Sequence, residues 1–237
     1  MANSLTNKEK AKEELTVVID ADGEQIKLTP SIVQNYIVGS NNGKITKPEF
    51  MMFTSLCKAR HLNPFLKEAY CIKYGDNPAQ IVVGKDAVHK RAIRNANYDG
   101  MESGIIVRNN ETGDITERKG TFYLKEQETL VGGWARAYRK DWQHPTYCSV
   151  SFDEVAQKKG SGQLNSNWAT KGATMVEKVA KVRALRETFV EEVGGMYDAD
   201  ELGIDLPNDE PPINDAKENQ PSEEIEAPAT VIDDPLA

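Results

Sequence analysis

The chain has 237 residues, 29 basic and 37 acidic side chains and a net charge of −8, so it can bury one good core with tails. Three scattered cysteines, Cys57, Cys71 and Cys148, exclude a disulfide framework and suit a reducing cytoplasm. No run approaches the roughly 18 apolar residues of a membrane span, and Met1–Glu14 has no apolar stretch of the secretory kind.

The acidity is local. Residues 205–237 hold ten of the acids and a single base, Lys217, so 1–204 is near neutral and its bases are clustered. The expected organisation is a flexible N-terminus (1–14), one core (15–204) and a disordered acidic tail (205–237) rich in Pro, Glu, Asp and Asn.

In chain order, Leu15–Ile19 and Gln25–Leu28 flank D-A-D-G-E, a hairpin signal. Thr29-Pro30 offers a cap and a first-turn proline for a helix over Ser31–Val38. Thr46-Lys47-Pro48-Glu49 is a capping box that starts a helix through Ala59, and Asn63-Pro64 ends it. Ala69–Tyr74 and Ala79–Val83 read as strands, and Ala87–Asn95 as a helix. Four further strands are expected at Glu102–Arg108, Gly120–Leu124, Leu130–Tyr138 and Thr146–Phe152.

From Ala173 a long helix begins, with Met175, Val179, Val182, Leu185, Phe189 and Val193 on one arc. Lys171, Lys178 and Lys181 border the arc on one side and Arg183 lies beyond the other. Arg186 projects from its middle, so it must pair with a carboxylate or reach an external anion. The order of elements is α+β: a small antiparallel sheet, N-terminal helices and one long basic helix.

Sequence signals for catalysis are missing. Val83-Gly84-Lys85-Asp86 lacks the phosphate loop of an ATP site, the three histidines have no second ligand at metal spacing, and no nucleophile elbow occurs. No cofactor is expected. Bases instead cluster beside aromatics: Lys67 after Asn63-Pro64-Phe65; Lys85, His89, Lys90, Arg91 and Arg94 together; Arg136, Arg139 and Lys140 before Trp142. The organising helix adds Lys171, Lys178, Lys181, Arg183 and Arg186, with Trp168 at its approach. Cations for phosphates and rings for bases are what a single-strand binder needs, although clusters of this size also arise by chance.

The segments N-P-F-L-K-E-A-Y-C-I-K-Y-G (63–75), I-V-V-G-K-D-A-V-H-K-R-A (81–92), Y-D-G-M-E-S-G (98–104), W-A-R-A-Y-R-K-D (134–141), H-P-T-Y (144–147), N-S-N-W (165–168) and G-G-M-Y-D-A-D-E (194–201) resemble the phage Redβ/RecT family of single-strand annealing proteins, Bet-type recombination proteins among them. The likeness runs in order over about residues 25–203. It implies an ATP-independent recombinase that coats single-stranded DNA and pairs it with a complementary strand, leaving annealed duplex. It also implies a homo-oligomeric ring or filament, DNA in a basic groove, a phage exonuclease and a host single-stranded-DNA-binding protein as partners, and a bacterial cytoplasm.

By position, the resemblance assigns Lys67, Arg139, Lys140, Lys178 and Arg186 to DNA. It leads to the expectation that Arg186→Ala folds normally and anneals poorly. Gly172 stands where the family often has proline, which makes Lys171 a less secure match. A protective single-strand binder without annealing, and more remotely a nuclease with scattered carboxylates, are the other readings.

Overall fold

The computed structural model describes residues 14–39, 43–202 and 204; the expectations for the N-terminus and for the acidic tail lie outside the described residues. Strands β1 (Val17–Ala21) and β2 (Glu24–Leu28) pair antiparallel from Val17↔Leu28 to Ala21↔Glu24. Asp22 and Gly23 both take positive φ, 62° and 93°, as the tight two-residue hairpin requires. Ile19, Ala21, Ile26 and Leu28 alternate inward.

The helix expected over Ser31–Val38 is shorter and wider. Thr29 caps a single turn, α1 (Pro30–Ile32), and the chain then opens into a π turn, Val33–Ile37. That turn buries Val33 and Ile37 together and delivers β3 (Val38–Gly39) parallel to β4 (Ala69–Ile72). The capping box forms as read: Thr46 accepts from the Glu49 amide and Glu49 accepts from the Thr46 amide, at 3.4 and 2.7 Å, which starts α2 (Lys47–Arg60). His61 ends α2 in the left-handed region. A 3₁₀ turn, Pro64–Leu66, precedes Lys67, at φ 60°. β5 (Gln80–Val83) pairs antiparallel with β4 and leads into α3 (Lys85–Ala92).

The main sheet has the order β7-β6-β8-β9, from β6 (Tyr98–Asn109), β7 (Ile115–Lys119), β8 (Glu128–Arg139) and β9 (Thr146–Ser151). The second of its strands is not Gly120–Leu124. Gly120 turns the chain out of the ladder at φ 76°, leaving one bridge to Gly104, and the amides of Gln127 and Glu128 both bond to the Leu124 carbonyl.

After a short helix, α4 (Phe152–Val155), Asn165 caps α5 (Ser166–Thr188) by accepting from the Trp168 amide at 3.0 Å. The helix thus begins ahead of the expected Ala173, but it breaks at Lys171 (φ −123°, ψ 30°), beside Gly172. A short helix, α6 (Val190–Val193), follows.

The apolar arc is the core side of α5. Met175, Val179, Val182, Leu185, Phe189 and Val193 are all buried, each contributing about 1.5–3 kcal/mol by leaving water. The inward face of β8 opposite them is Gly133, Ala135 and Ala137, small enough for helix and sheet to close together. A Cβ on Gly133 would sit 2.6 Å from the Val176 carbonyl oxygen. Gly133→Ala must therefore push α5 off the sheet at a cost of about 1–3 kcal/mol, and calorimetry should show Tm lowered by roughly 2–12 °C.

Candidate nucleic-acid interface

The fold distributes the basic residues singled out in the sequence over several separate places. Lys85 at the start of α3 and Lys178 and Lys181 on α5 line one small cleft of about 110 Å³, with His89 and Met101 beside them. Lys85 is half exposed and its ion pair with the open Asp86, at 3.7 Å, is weak. Lys181 is a third exposed and pairs along the helix with Glu177 at 3.0 Å. Burial holds His89 below the ordinary histidine value, and the neighbouring Lys181 and Lys85 add to that against Asp86.

Lys90 and Arg91 lie elsewhere on α3. Together with Arg94 they converge on Asp22 from the β1–β2 turn: Lys90 at 2.8 Å, Arg91 at 2.7 Å and Arg94 in direct contact. Lys90 also meets Glu68 at 2.6 Å. Burial alone would raise the Asp22 carboxyl, but these three cations hold it far below the usual carboxylate range.

Arg139 and Lys140 end β8. Arg139 forks onto Asp141 at 2.9 and 2.8 Å, donates to the Thr188 carbonyl at the end of α5, and lies between the rings of Trp142 and Phe189. Lys140 donates to the Ala96 carbonyl at 3.2 Å. Lys67 stands apart on its left-handed turn, and Lys171 stands at the break in α5.

Trp168 belongs to the core. It is 1% exposed, with its ring edge-on to Phe152, so it has no open face for a base, contrary to its expected place at the interface. A large ring gains more from burial than from exposure beside a basic helix.

The last group is Lys178, Arg183 and Arg186, which face the segment Met196–Leu202. Glu201, with a side chain 4% exposed, accepts both arms of Arg186 at 2.7 and 2.6 Å, and Arg183 approaches it at 3.8 Å. The Tyr197 ring lies 4.5 Å from the Arg186 guanidinium. Burial pulls the Lys178 ammonium down, but Asp198 at 2.8 Å and Asp200 in contact outweigh it and raise the value. One ammonium cannot fully offset two buried carboxylates. Burial therefore leaves Asp200 raised to about 6, against the opposing pull of Lys178.

Of the two outcomes open for Arg186, the free chain adopts internal pairing. These carboxylates were visible in the sequence only as the polar run D-A-D-E, with no local pattern to mark them as partners of a helix before them.

Cys57 and Cys71 are buried thiols pushed up to about 12 and about 11 by loss of water, which makes them inert packing groups. Among the described residues no His, Cys, Asp and Glu cluster could hold a metal ion, and no helix is long and apolar enough to cross a membrane.

A family model, that of the RecT family, matches residues 25–218, most of the chain. The chain belongs to the RecT family. Membership makes it a phage-type recombination protein of the DNA-binding, single-strand annealing class. The match runs from β2 across both basic helices and past the carboxylates of 198–201. No curated protein matches the chain.

Two outcomes follow from the pairing on α5. Arg186→Ala leaves Glu201 buried without its cation, at about 3–5 kcal/mol, so the variant should melt well below the parent, not at the parental temperature expected from the resemblance. The Asp200 value is raised on folding, so the folded chain binds that proton more tightly than the unfolded one, and stability gains as pH falls from above 6 towards 3.8. Asp200→Asn removes the gain. The Tm difference between parent and variant should therefore shift in the parent's favour on acidification through that window; the opposite effects of Asp22 and of Glu49, whose carboxyl burial would raise but Lys73 and its backbone donors hold low, are common to both proteins and cancel.

Proposed function

We propose that this RecT-family chain binds single-stranded DNA along the face where α3 meets α5 and anneals it to a complementary strand without ATP. The observation that carries this reading is the cleft in which Lys85, Lys178 and Lys181 converge from two helices. Lys85 and Lys181 keep enough exposure to meet phosphates directly. Lys67, Lys140 and Lys171 extend the cationic surface, and Lys90, held between Asp22 and Glu68, supports its edge. Arg91, Arg139, Lys178, Arg183 and Arg186, each engaged with a carboxylate, shape it and hold its potential in place.

The chemistry breaks no bond. Lysines lower the repulsion between two polyanions, contacts to the backbone leave the pairing edges of the bases open, and base pairing supplies the driving force. Sequence preference is weak for the same reason. Assembly into a ring or filament carries the strand from one copy to the next, and a phage exonuclease and a host single-stranded-DNA-binding protein are the partners this role calls for, in the cytoplasm of the host bacterium.

Mixing the protein with two complementary oligonucleotides in the absence of nucleotide tests the proposal. Duplex should form faster than without protein, and log affinity for one strand should fall against log salt at about −0.7 per phosphate contact. Replacing Lys85 and Lys181 by glutamine together should make that slope shallower by about 1.4. Salt-independent affinity would overturn the interface. Tight binding that slows annealing would make the protein a protective coat instead.

A further inference from the structure

The cleft between α3 and α5 is too small for a whole nucleotide. Its volume of about 110 Å³ lies well below the roughly 300–1,000 Å³ of a small-ligand pocket and suits a single phosphate group. Lys85 and Lys181 bring cations to it from the two helices. A third side chain of the wall, His89, is exposed, so a strand lying over the cleft can reach it. In the free chain this imidazole is neutral near pH 7. Partial loss of water disfavours its charged form, Lys181 and Lys85 add to that, and Asp86 opposes them.

The ring is held in place. Its Nε2 lies 3.2 Å from the Tyr98 hydroxyl, and the two rings stand 6.1 Å apart. Tyr98 in turn packs at 5.7 Å on Phe189, which is buried. A tyrosine hydroxyl can donate or accept, so this bond survives protonation: the phenol donates to a neutral Nε2 and accepts from a charged one. With Nε2 committed to Tyr98, Nδ1 is the nitrogen left to an anion. The charged groups at the cleft are Lys85 and Asp86 from the same helix and Lys178 and Lys181 from α5, while β6 brings Tyr98 and the apolar Met101. Behind the lysines, Glu177 pairs with Lys181 at 3.0 Å, and Asp198 and Asp200 hold Lys178.

We propose that His89 is a proton-linked phosphate contact: a strand seated on Lys85 and Lys181 brings a proton from water onto His89, and the imidazolium becomes a further cation on the phosphate. The inference rests on the single-strand reading above and adds a residue to it. The proton returns to water when the strand leaves, and no other bond changes. The phosphate's charge offsets the repulsion from the two lysines, so the complex holds the proton more tightly than the free chain does. The gain in affinity is therefore complete below the free-chain value, which lies under 6.5, and is lost as pH rises through the higher value of the complex. The contact is to the backbone and tolerates any base.

The test titrates the full chain, His89→Gln and Asp200→Asn with a thymidine oligonucleotide at fixed salt across about pH 5–8, the range in which histidines change charge. Calorimetry in two buffers of different ionisation heat counts the protons taken up. Parent affinity should fall by about 3- to 10-fold as pH rises through that range, with net proton uptake on binding. Glutamine keeps a hydrogen-bonding group but cannot take the proton, so His89→Gln should flatten the profile and abolish the uptake. Asp200→Asn removes the carboxyl that titrates at about 6 behind Lys178, and should keep the slope and the uptake whatever its affinity at any one pH. A slope that survives His89→Gln, one that Asp200→Asn flattens, or a parent whose affinity ignores pH would overturn the proposal. A parent that binds the strand at no pH would instead overturn the single-strand reading itself.

Discussion

The charge pair between Arg186 and Glu201 decides how the last part of the core must run. A guanidinium in the middle of an apolar arc cannot remain unpaired, so the segment after α6 is obliged to fold back across α5 and present a carboxylate there. Once it does so, other contacts become available. The Tyr197 carbonyl accepts from the Val83 amide at the end of β5, and Gln157 donates to the carbonyls of Ala199 and Asp200. Ala199 and Ile204 then pack on Ile72 and Val82. The small β3-β4-β5 sheet is fastened to the long helix through a crossing that one buried ion pair enforces.

The same principle governs the charge of the surface. Asp22 takes the cations of one face of α3, and Asp198, Asp200 and Glu201 take those of one face of α5. What remains for a polyanion is a limited number of lysines with water around them, Lys85 and Lys181 foremost. Contacts of that kind are individually weak and screened by salt. Such contacts release a polyanion more readily than buried ion pairs would.

Much of the fold was legible because it is written in short-range patterns. The Asp22-Gly23 hairpin, the Thr46–Glu49 capping box and the apolar arc of α5 each follow from the order of a few neighbouring residues. The π turn after α1 was not legible, because its width is set by what Val33 and Ile37 pack against. The strand placed at 120–124 failed because Gly120 turns the chain and local propensity does not record ladder partners. At the candidate interface the bases were visible and their carboxylates were not. Lys90 and Asp22 are far apart in sequence, and D-A-D-E has the composition of a solvated turn. Arg186 sat on the border: its place on the wheel demanded an anion, and only the folded chain says which.

The two sets of carboxylates differ in how far the chain must travel to bring them home. Arg186 meets Glu201 across 15 residues, whereas Arg94 meets Asp22 across 72. Closing the longer loop costs about 1.4 kcal/mol more in chain entropy. The α5 pairing can thus form within one contiguous stretch, while the α3 cluster has to wait for the hairpin to be carried in from the other end of the core. During synthesis the order is reversed: the hairpin is already outside the ribosome when α3 emerges, but α5 leaves with its cations bare until the residues that neutralise them follow. For that interval the nascent chain offers its most basic helix to any nearby polyanion.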